Sequence, residues 1–363
     1  MRKELGVFPH NMSACSPLIV GDRLFVCTSN GVDEGHFNVP APDAPSFIAL
    51  DKHTGKLLWQ DNSPGKNIMH GQWSCAAYSA DPVPQVIFPG GDGWVRAFDP
   101  PTGKLLWKFD GNPKDGVYEL GGTGTKSDII AAPVVAGGRL YLARGQDPEH
   151  SDGPGGLWCL DLTKAVAGGA KRPDRDVSPE LLIKREERPD GPPKVVTRPN
   201  PGSAVAWSYG GPDKRPFTPR EYKFGRSIST ACVVGDILYI SDLVGFIHCF
   251  DAKTGKRYWQ YDTKSSLWNA VYYADGKVFV GNDNGDLFVL RHTPTPETID
   301  DLDPTATDLK AARAFRRARY KAIETKYLLA KIEFDAPIRS TVSVANGVLF
   351  VASEKTLYAI GKR

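Results

Sequence analysis

Ala49-Leu50-Asp51-Lys52-His53-Thr54-Gly55-Lys56-Leu57-Leu58-Trp59 returns, little altered, as Ala97-Phe98-Asp99-Pro100-Pro101-Thr102-Gly103-Lys104-Leu105-Leu106-Trp107 and as Cys249-Phe250-Asp251-Ala252-Lys253-Thr254-Gly255-Lys256-Arg257-Tyr258-Trp259. The shared frame is A-x-D-x-x-T-G-K-x-x-W. Each copy reads as a strand, a turn and a second strand. The carboxylates of Asp51, Asp99 and Asp251 can accept from turn amides, and Gly55, Gly103 and Gly255 can take the positive φ a tight turn needs. Trp59, Trp107 and Trp259 then offer broad indole faces for packing between neighbouring sheets.

Working outward, a turn followed by an alternating strand precedes each copy. It is seen at Gly21–Val26, Gln85–Phe88, Gly138–Leu142, Gly235–Ile240, Asp275–Val280 and Asn346–Val351. That makes six units, each expected as four antiparallel strands A to D, with D carrying the Trp. Two segments interrupt the pattern, at about 165–203 and 293–327. Without them about 291 residues remain, or about 48 per unit, close to the ~40–45 of a propeller blade. Four-stranded sheets of this kind bury their faces only by stacking radially. The expected fold is therefore all-β: a single β-propeller domain over residues 1–363, with six four-stranded blades and two inserts. A longer native chain would have seven or eight blades. The last unit stops at Leu357-Tyr358-Ala359-Ile360 without strand D, which Glu4-Leu5-Gly6-Val7-Phe8 is positioned in sequence to supply.

The 363 residues include 37 Gly and 29 Pro, about 18% together against an average near 12%, as a chain of many turns requires. The formal net charge is +3, which excludes a chain-wide polyanion-binding surface. No apolar run approaches the ~20 residues of a membrane span, and Met1–Phe8 lacks the apolar core of a signal peptide. The six cysteines, at 15, 27, 75, 159, 232 and 249, form no CxxC and no adjacent pair. They read as small buried hydrophobes rather than a disulfide framework.

The repeated frame resembles the tryptophan-docking motif of PQQ-like β-propellers, a superfamily with quinoprotein alcohol dehydrogenases and BamB-type outer-membrane assembly lipoproteins. His70-Gly71-Gln72-Trp73-Ser74, Gly90-Gly91-Asp92-Gly93-Trp94 and Gly145-Gln146-Asp147-Pro148-Glu149-His150 are similar to stretches of an uncharacterised bacterial group of PQQ-like repeat proteins. The resemblance covers nearly the whole chain outside the inserts, and it implies a periplasmic or secreted location; the chain's own start leaves the cytoplasm open. For the dehydrogenase branch it implies PQQ and Ca²⁺ as cofactors, eight blades and a vicinal disulfide over the quinone. This chain has no Cys-Cys pair and no recognisable Glu/Asn/Asp calcium set.

In such a topology the D–A and B–C loops share one face of the disc. The D–A loops carry Asn11, His70, Gln72, Trp73, Asp128, Arg226, Trp268 and Arg339, a mixture suited to a polar funnel for a small anionic or sugar-like ligand. Arg226 and Arg339 could grip a carboxylate or phosphate, and Trp73 or Trp268 could stack on a ring. Two B–C loops hold metal or acid–base candidates: Asp33, Glu34 and His36, and Asp147, Glu149 and His150. His70, Glu149 and His150 are the candidate catalytic set of a metal-assisted hydrolase or lyase. Asn282-Asp283-Asn284-Gly285-Asp286 superficially matches a calcium loop, but its Asn-Gly places it at a hairpin. Gly90–Gly93 is a turn between strands, with no following helix to make it a phosphate loop.

The second insert reads as a helix over Asp308–Lys326, capped by Thr305 or Thr307. It carries seven cationic and two anionic side chains. The first insert, Lys171–Arg198, holds eight and six. Basicity is thus local to the inserts, and the helix is a candidate docking element. No RNA-stacking or DNA-reading motif accompanies it. The reading is a monomeric, non-catalytic binding or protein-interaction module, its partner a protein or a small polar ligand. The alternative is a quinoprotein oxidoreductase or metal-assisted enzyme with its site in the central funnel.

Overall fold

The structure is a computed structural model. It describes residues 2–120, 124–145, 153–167, 175–218, 220–297 and 306–361. The chain is mostly β and divides into two compact units, one of residues 1–151 and 156–208, the other of 152–155 and 209–363.

In the first unit, β1 (Leu18–Val20), β2 (Arg23–Cys27), β3 (Phe47–Asp51) and β4 (Leu57–Asp61) form an antiparallel meander. A second meander is β5 (Ala77–Ser79), β6 (Gln85–Pro89), β7 (Trp94–Phe98) and β8 (Leu105–Asp110). The third sheet joins β9 (Val134–Ala136), β10 (Arg139–Arg144) and β11 (Gly156–Asp161) to a strand reached after the first insert. The described residues of that insert form regular elements that its Pro-rich, charged sequence did not suggest. Helix α2 (Leu162–Val166) leads on to β12 (Arg175–Asp176), which pairs in parallel with β8 and widens the second sheet to five strands. A hairpin of β13 (Glu180–Glu186) and β14 (Lys194–Pro199) follows, and β15 (Val205–Gly210) completes the third sheet. Helix α1 (Arg2–Leu5) stands where a strand was expected.

In the second unit, β16 (Cys232–Val234), β17 (Ile237–Ser241), β18 (Phe246–Asp251) and β19 (Arg257–Asp262) make one sheet. The next contains β20 (Tyr272–Ala274), β21 (Lys277–Gly281), β22 (Asp286–Arg291) and, beyond helix α3 (Leu309–Tyr327), β23 (Leu328–Glu333). The last has three strands, β24 (Ser343–Ala345), β25 (Val348–Ala352) and β26 (Leu357–Ile360). Among the described residues no fourth strand pairs with β26, so the expected contribution of Glu4–Phe8 is corrected: its first residues are helical.

The repeated turns behave as their composition dictates. Asp51 Oδ1 accepts from the Thr54 amide and hydroxyl, each at 2.8 Å, and Asp251 Oδ1 does the same at 2.7 and 2.9 Å. Trp59 donates its indole N–H to the Pro100 carbonyl at 2.9 Å, on the turn of the following repeat. A methyl group on Gly103 would lie 2.7 Å from that indole, so this turn needs glycine for contact as well as for its φ of 70°. Trp107 donates to Gln85 Oε1 at 2.8 Å and Trp259 to the Thr293 carbonyl at 2.9 Å, both fully buried. Removing an indole of this kind typically costs about 3–5 kcal/mol.

In four of the sheets a B–C loop is tied to the D–A loop that follows. Val32 N donates to His70 O (2.9 Å), Gly111 N to Gly93 O (3.0 Å), Thr263 N to Gly245 O (2.9 Å) and Ile338 N to Asn282 O (3.0 Å). These recurring junctions are where side chains from three loops meet.

Candidate functional site

At the first junction, between the β1–β4 and β5–β8 sheets, three imidazoles converge. His10 lies on the segment entering β1, His36 on the β2–β3 loop and His70 on the loop entering β5. Their ligand atoms all lie within 4.8 Å of one another. His36 Nε2 is 2.9 Å from His70 Nε2 and 3.4 Å from His10 Nε2. His10 and His70 are buried and His36 is half-buried. His10 Nδ1 is 3.0 Å from the Val32 carbonyl, which only accepts, so Nδ1 carries the hydrogen and a neutral His10 turns the lone pair of Nε2 toward the cluster.

The surroundings hold these rings tightly. Gly31 N donates to Phe8 O at 2.9 Å, and a Cβ at Gly31 would sit 2.6 Å from His10 Cβ and 2.8 Å from His70 O. Asn30 accepts from Phe8 N (3.0 Å) and donates to Ala41 O (2.8 Å). Gln72 donates to Asn30 O and Ser46 Oγ, both at 2.9 Å, which makes this expected funnel residue a buried brace between loops. Asp33 accepts from the Phe37 amide at 2.7 Å and from Asn38 Nδ2 at 3.1 Å. The Phe37 bond leads in holding its carboxyl below the ordinary carboxylate range. It shapes the turn that presents His36, whose φ is 57°. Trp73 packs edge-on against His70, centroids 5.1 Å apart, and donates to Met12 O at 3.2 Å.

The other expected site residues fall elsewhere. Asn11 is exposed beside the cluster, with φ 55°, and Asp128 is buried on the loop entering the third sheet. In the second unit Arg226 is buried against Gly153. Trp268 donates to Asp283 Oδ2 at 3.0 Å, Arg339 donates to Asp283 Oδ1 at 2.8 Å and also pairs with Glu354, and the guanidinium stands 4.9 Å above the Trp268 ring. The Asn282–Asp286 stretch is a hairpin turn: Asn282 Oδ1 accepts from Asn284 N and Asp286 N, and the Asp283 and Asp286 carboxylates face Arg339 and Lys331. Asp147, Glu149 and His150 lie outside the described residues.

His10 was missed. Its signal was a repeated spacing: His10 precedes Cys15, and His70 precedes Cys75, by the same five positions in successive units.

The second unit holds a cavity of about 600 Å³ between α3 and the β16–β19 sheet. Nine cationic side chains line it, among them Arg215, Arg220, Arg257, Arg313, Arg316 and Arg317, against the carboxylates of Asp213 and Asp262. Both carboxylates are paired, Asp213 with Arg215 and Asp262 with Lys264. Arg220 and Arg257 point inward, to Asp242 (2.8 Å) and to Tyr209 Oη (2.9 Å). Helix α3 reaches this position because Ile323 and Tyr327 join the core of the two neighbouring sheets, leaving its arginines toward the cavity. Asp308, not either threonine, caps it, accepting from Ala311 N at 2.8 Å; Thr305 lies outside the described residues.

Repeated four-stranded meanders joined through indole-bearing turns define a PQQ-like β-propeller protein. The sequence model of the family described as "Outer membrane protein assembly factor BamB" matches residues 10–147 and 195–293, and the chain belongs to that family. A polyvinylalcohol dehydrogenase of Sphingopyxis sp. is 35% identical over 118 residues, which is 31% of this chain and 18% of that protein. Among solved structures, BamB from Moraxella catarrhalis shares 16% identity with a TM-score of 0.55, over 96% of this chain and 71% of that one. Quinohemoprotein alcohol dehydrogenase from Comamonas testosteroni shares 13% with 0.53, over 94% of this chain and 52% of that one. The chain thus spans about half the length of the dehydrogenase structure and a smaller part of the curated relative.

The residues present do not reproduce the quinone-binding pair that the dehydrogenase resemblance implied, since no two of the six cysteines are adjacent. All six are free thiols. No described helix is long and apolar enough to cross a membrane.

Proposed function

We propose that this chain is a binding module of the cell envelope, non-catalytic in its second unit, which recognises an acidic protein segment through the cavity under α3. The observation carrying this reading is the lining of that cavity, nine cations of which Arg215, Arg220, Arg257, Lys264 and Arg319 are held in ion pairs while, among the described residues, Arg313 and Arg317 are not. Among the described residues the guanidinium groups of Arg313 and Arg317 have no hydrogen-bond or ion-pair partner. Arginine forks suit carboxylates bidentately, and Tyr209, Tyr222 and Tyr320 add amphipathic surface beside them. An envelope location and a protein partner agree with membership of the BamB family.

The test uses a fluorescein-labelled oligoglutamate peptide and anisotropy. Binding is expected to weaken steeply with salt, and by at least ~10-fold in Arg313→Glu/Arg317→Glu, with an unchanged circular dichroism spectrum. Binding that ignores this double reversal would overturn the assignment. The competing oxidoreductase reading predicts a red-shifted absorption and dye reduction when PQQ and Ca²⁺ are added.

A further inference from the structure

We propose that His10, His36 and His70 form a binding centre for one divalent transition-metal ion of the zinc type, with a coordination position left for water or a ligand. The inference is independent of the cavity under α3.

Zinc–imidazole bonds are about 2.0–2.1 Å long, so tetrahedral coordination separates two ligand nitrogens by about 3.3 Å and octahedral cis coordination by about 3.0 Å. The observed 2.9 and 3.4 Å bracket those values. All three rings present Nε2, and among the described residues no carboxylate belongs to the group. Neutral imidazoles suit Zn, Cu, Ni and Fe, whereas Ca²⁺ and Mg²⁺ select oxygen.

The supporting shell is of the kind such centres use. Ligand histidines commonly donate their second ring nitrogen to a carbonyl, which fixes tautomer and orientation. His10 Nδ1 does so to Val32 O at 3.0 Å. Gly31 leaves just enough room for His10 and His70 to approach, and Asp33 locks the turn behind His36. His36 adopts a φ of 57°, a left-handed conformation that persists only when surroundings enforce it. Trp73 walls one side against water. Among the described residues the group supplies three protein ligands, the number found in zinc sites that keep an open position. The half-buried ring of His36 marks the side on which that position meets solvent.

Tag-free full-length chain, stripped with chelator and dialysed, is titrated with Co²⁺ followed by visible d–d absorption, and separately with Zn²⁺ followed by elemental analysis. One equivalent is expected for each. His36→Ala and His70→Ala should each lower affinity by more than the ~10–100-fold that loss of a supporting hydrogen bond costs, while His53→Ala binds as the wild type. Zn²⁺ should raise the Tm of the wild type and leave that of His36→Ala unmoved. Stoichiometry far below one, or unchanged affinity in His36→Ala, would mean that the imidazoles only hydrogen-bond one another and would overturn the proposal. Should His70→Ala fail to fold, His36→Ala and His36→Gln, on a half-buried loop, decide the matter.

Discussion

The same junction is built twice with opposite contents. Between the first two sheets, a B–C loop and two D–A loops bring His36, His10 and His70 together beside Trp73. Between the last two sheets, the equivalent loops bring Asp283, Arg339 and Trp268 together. A backbone bond ties the two loop types in both, with donor and acceptor exchanged: the B–C loop donates from Val32 N to His70 O in one, and the D–A loop donates from Ile338 N to Asn282 O in the other. In the second case opposite charges satisfy each other and the junction is closed. In the first, three ring nitrogens converge on the place where the proposed cation would sit. The fold supplies the meeting place, and the side chains decide whether it is a clasp or a receptor.

A third version, at the loop after β17, gives the largest expected effect. Asp242 is fully buried and accepts from Arg220 (2.8 Å), His248 Nε2 (3.0 Å) and the Gly225 amide (3.1 Å). Asp242→Ala leaves the largely buried Arg220 without its counter-charge and should cost about 3–5 kcal/mol in urea unfolding. Next comes Gly31→Ala. Its methyl group would collide with His10 Cβ and the His70 carbonyl, an overpacking expected to cost about 1–3 kcal/mol and to remove Co²⁺ binding with it.

The buried Asp242–His248 pair also predicts a pH profile. Burial keeps His248 neutral in the folded chain and lowers its pKa from the ordinary 6.5. The unfolded chain therefore takes up that proton first, and stability should fall as pH drops below about 6.5. Burial pushes Asp242 up, but the hydrogen bond from His248 and the charge of Arg220 prevail and hold it at about 2. Its contribution is complete above about pH 4 and is lost between there and about 2. Thermal melts from pH 7 to 3 should show the fall, and His248→Gln should flatten its upper part. The smallest effect belongs to the clasp. Arg339→Ala removes an exposed pair and should change stability by about 0–1 kcal/mol, measurable only in low salt. A loss above ~2 kcal/mol would show that the two junctions differ less than their exposure implies.

The repeats were legible because they are local. A-x-D-x-x-T-G-K-x-x-W encodes a turn and two strands within eleven positions, and the structure places Asp51, Gly55 and Trp59 in those roles. The helix at 309–327 was legible from propensity and charge, though Asp308 takes the cap. The hairpin β13–β14 was not, since its Pro- and charge-rich flanks masked two short alternating runs. Helix α1 shows how weak four residues are as a signal. For the candidate sites, His36 and His70 stood out as loop imidazoles, whereas Gln72 proved to brace the loops and His10 went unnoticed.

The sequence alone, then, determined that sheets of four strands repeat, where their turns fall and that basic charge collects in the second insert, since each depends on residues within a few positions of one another. Only tertiary structure decided that His10, His36 and His70 share one point and that four α3 arginines meet Arg215, Arg220 and Arg257 around one cavity. Those groups are separated by tens of residues and by whole sheets. Their distances are set by how loops from successive sheets are hydrogen-bonded together, which no local spacing records.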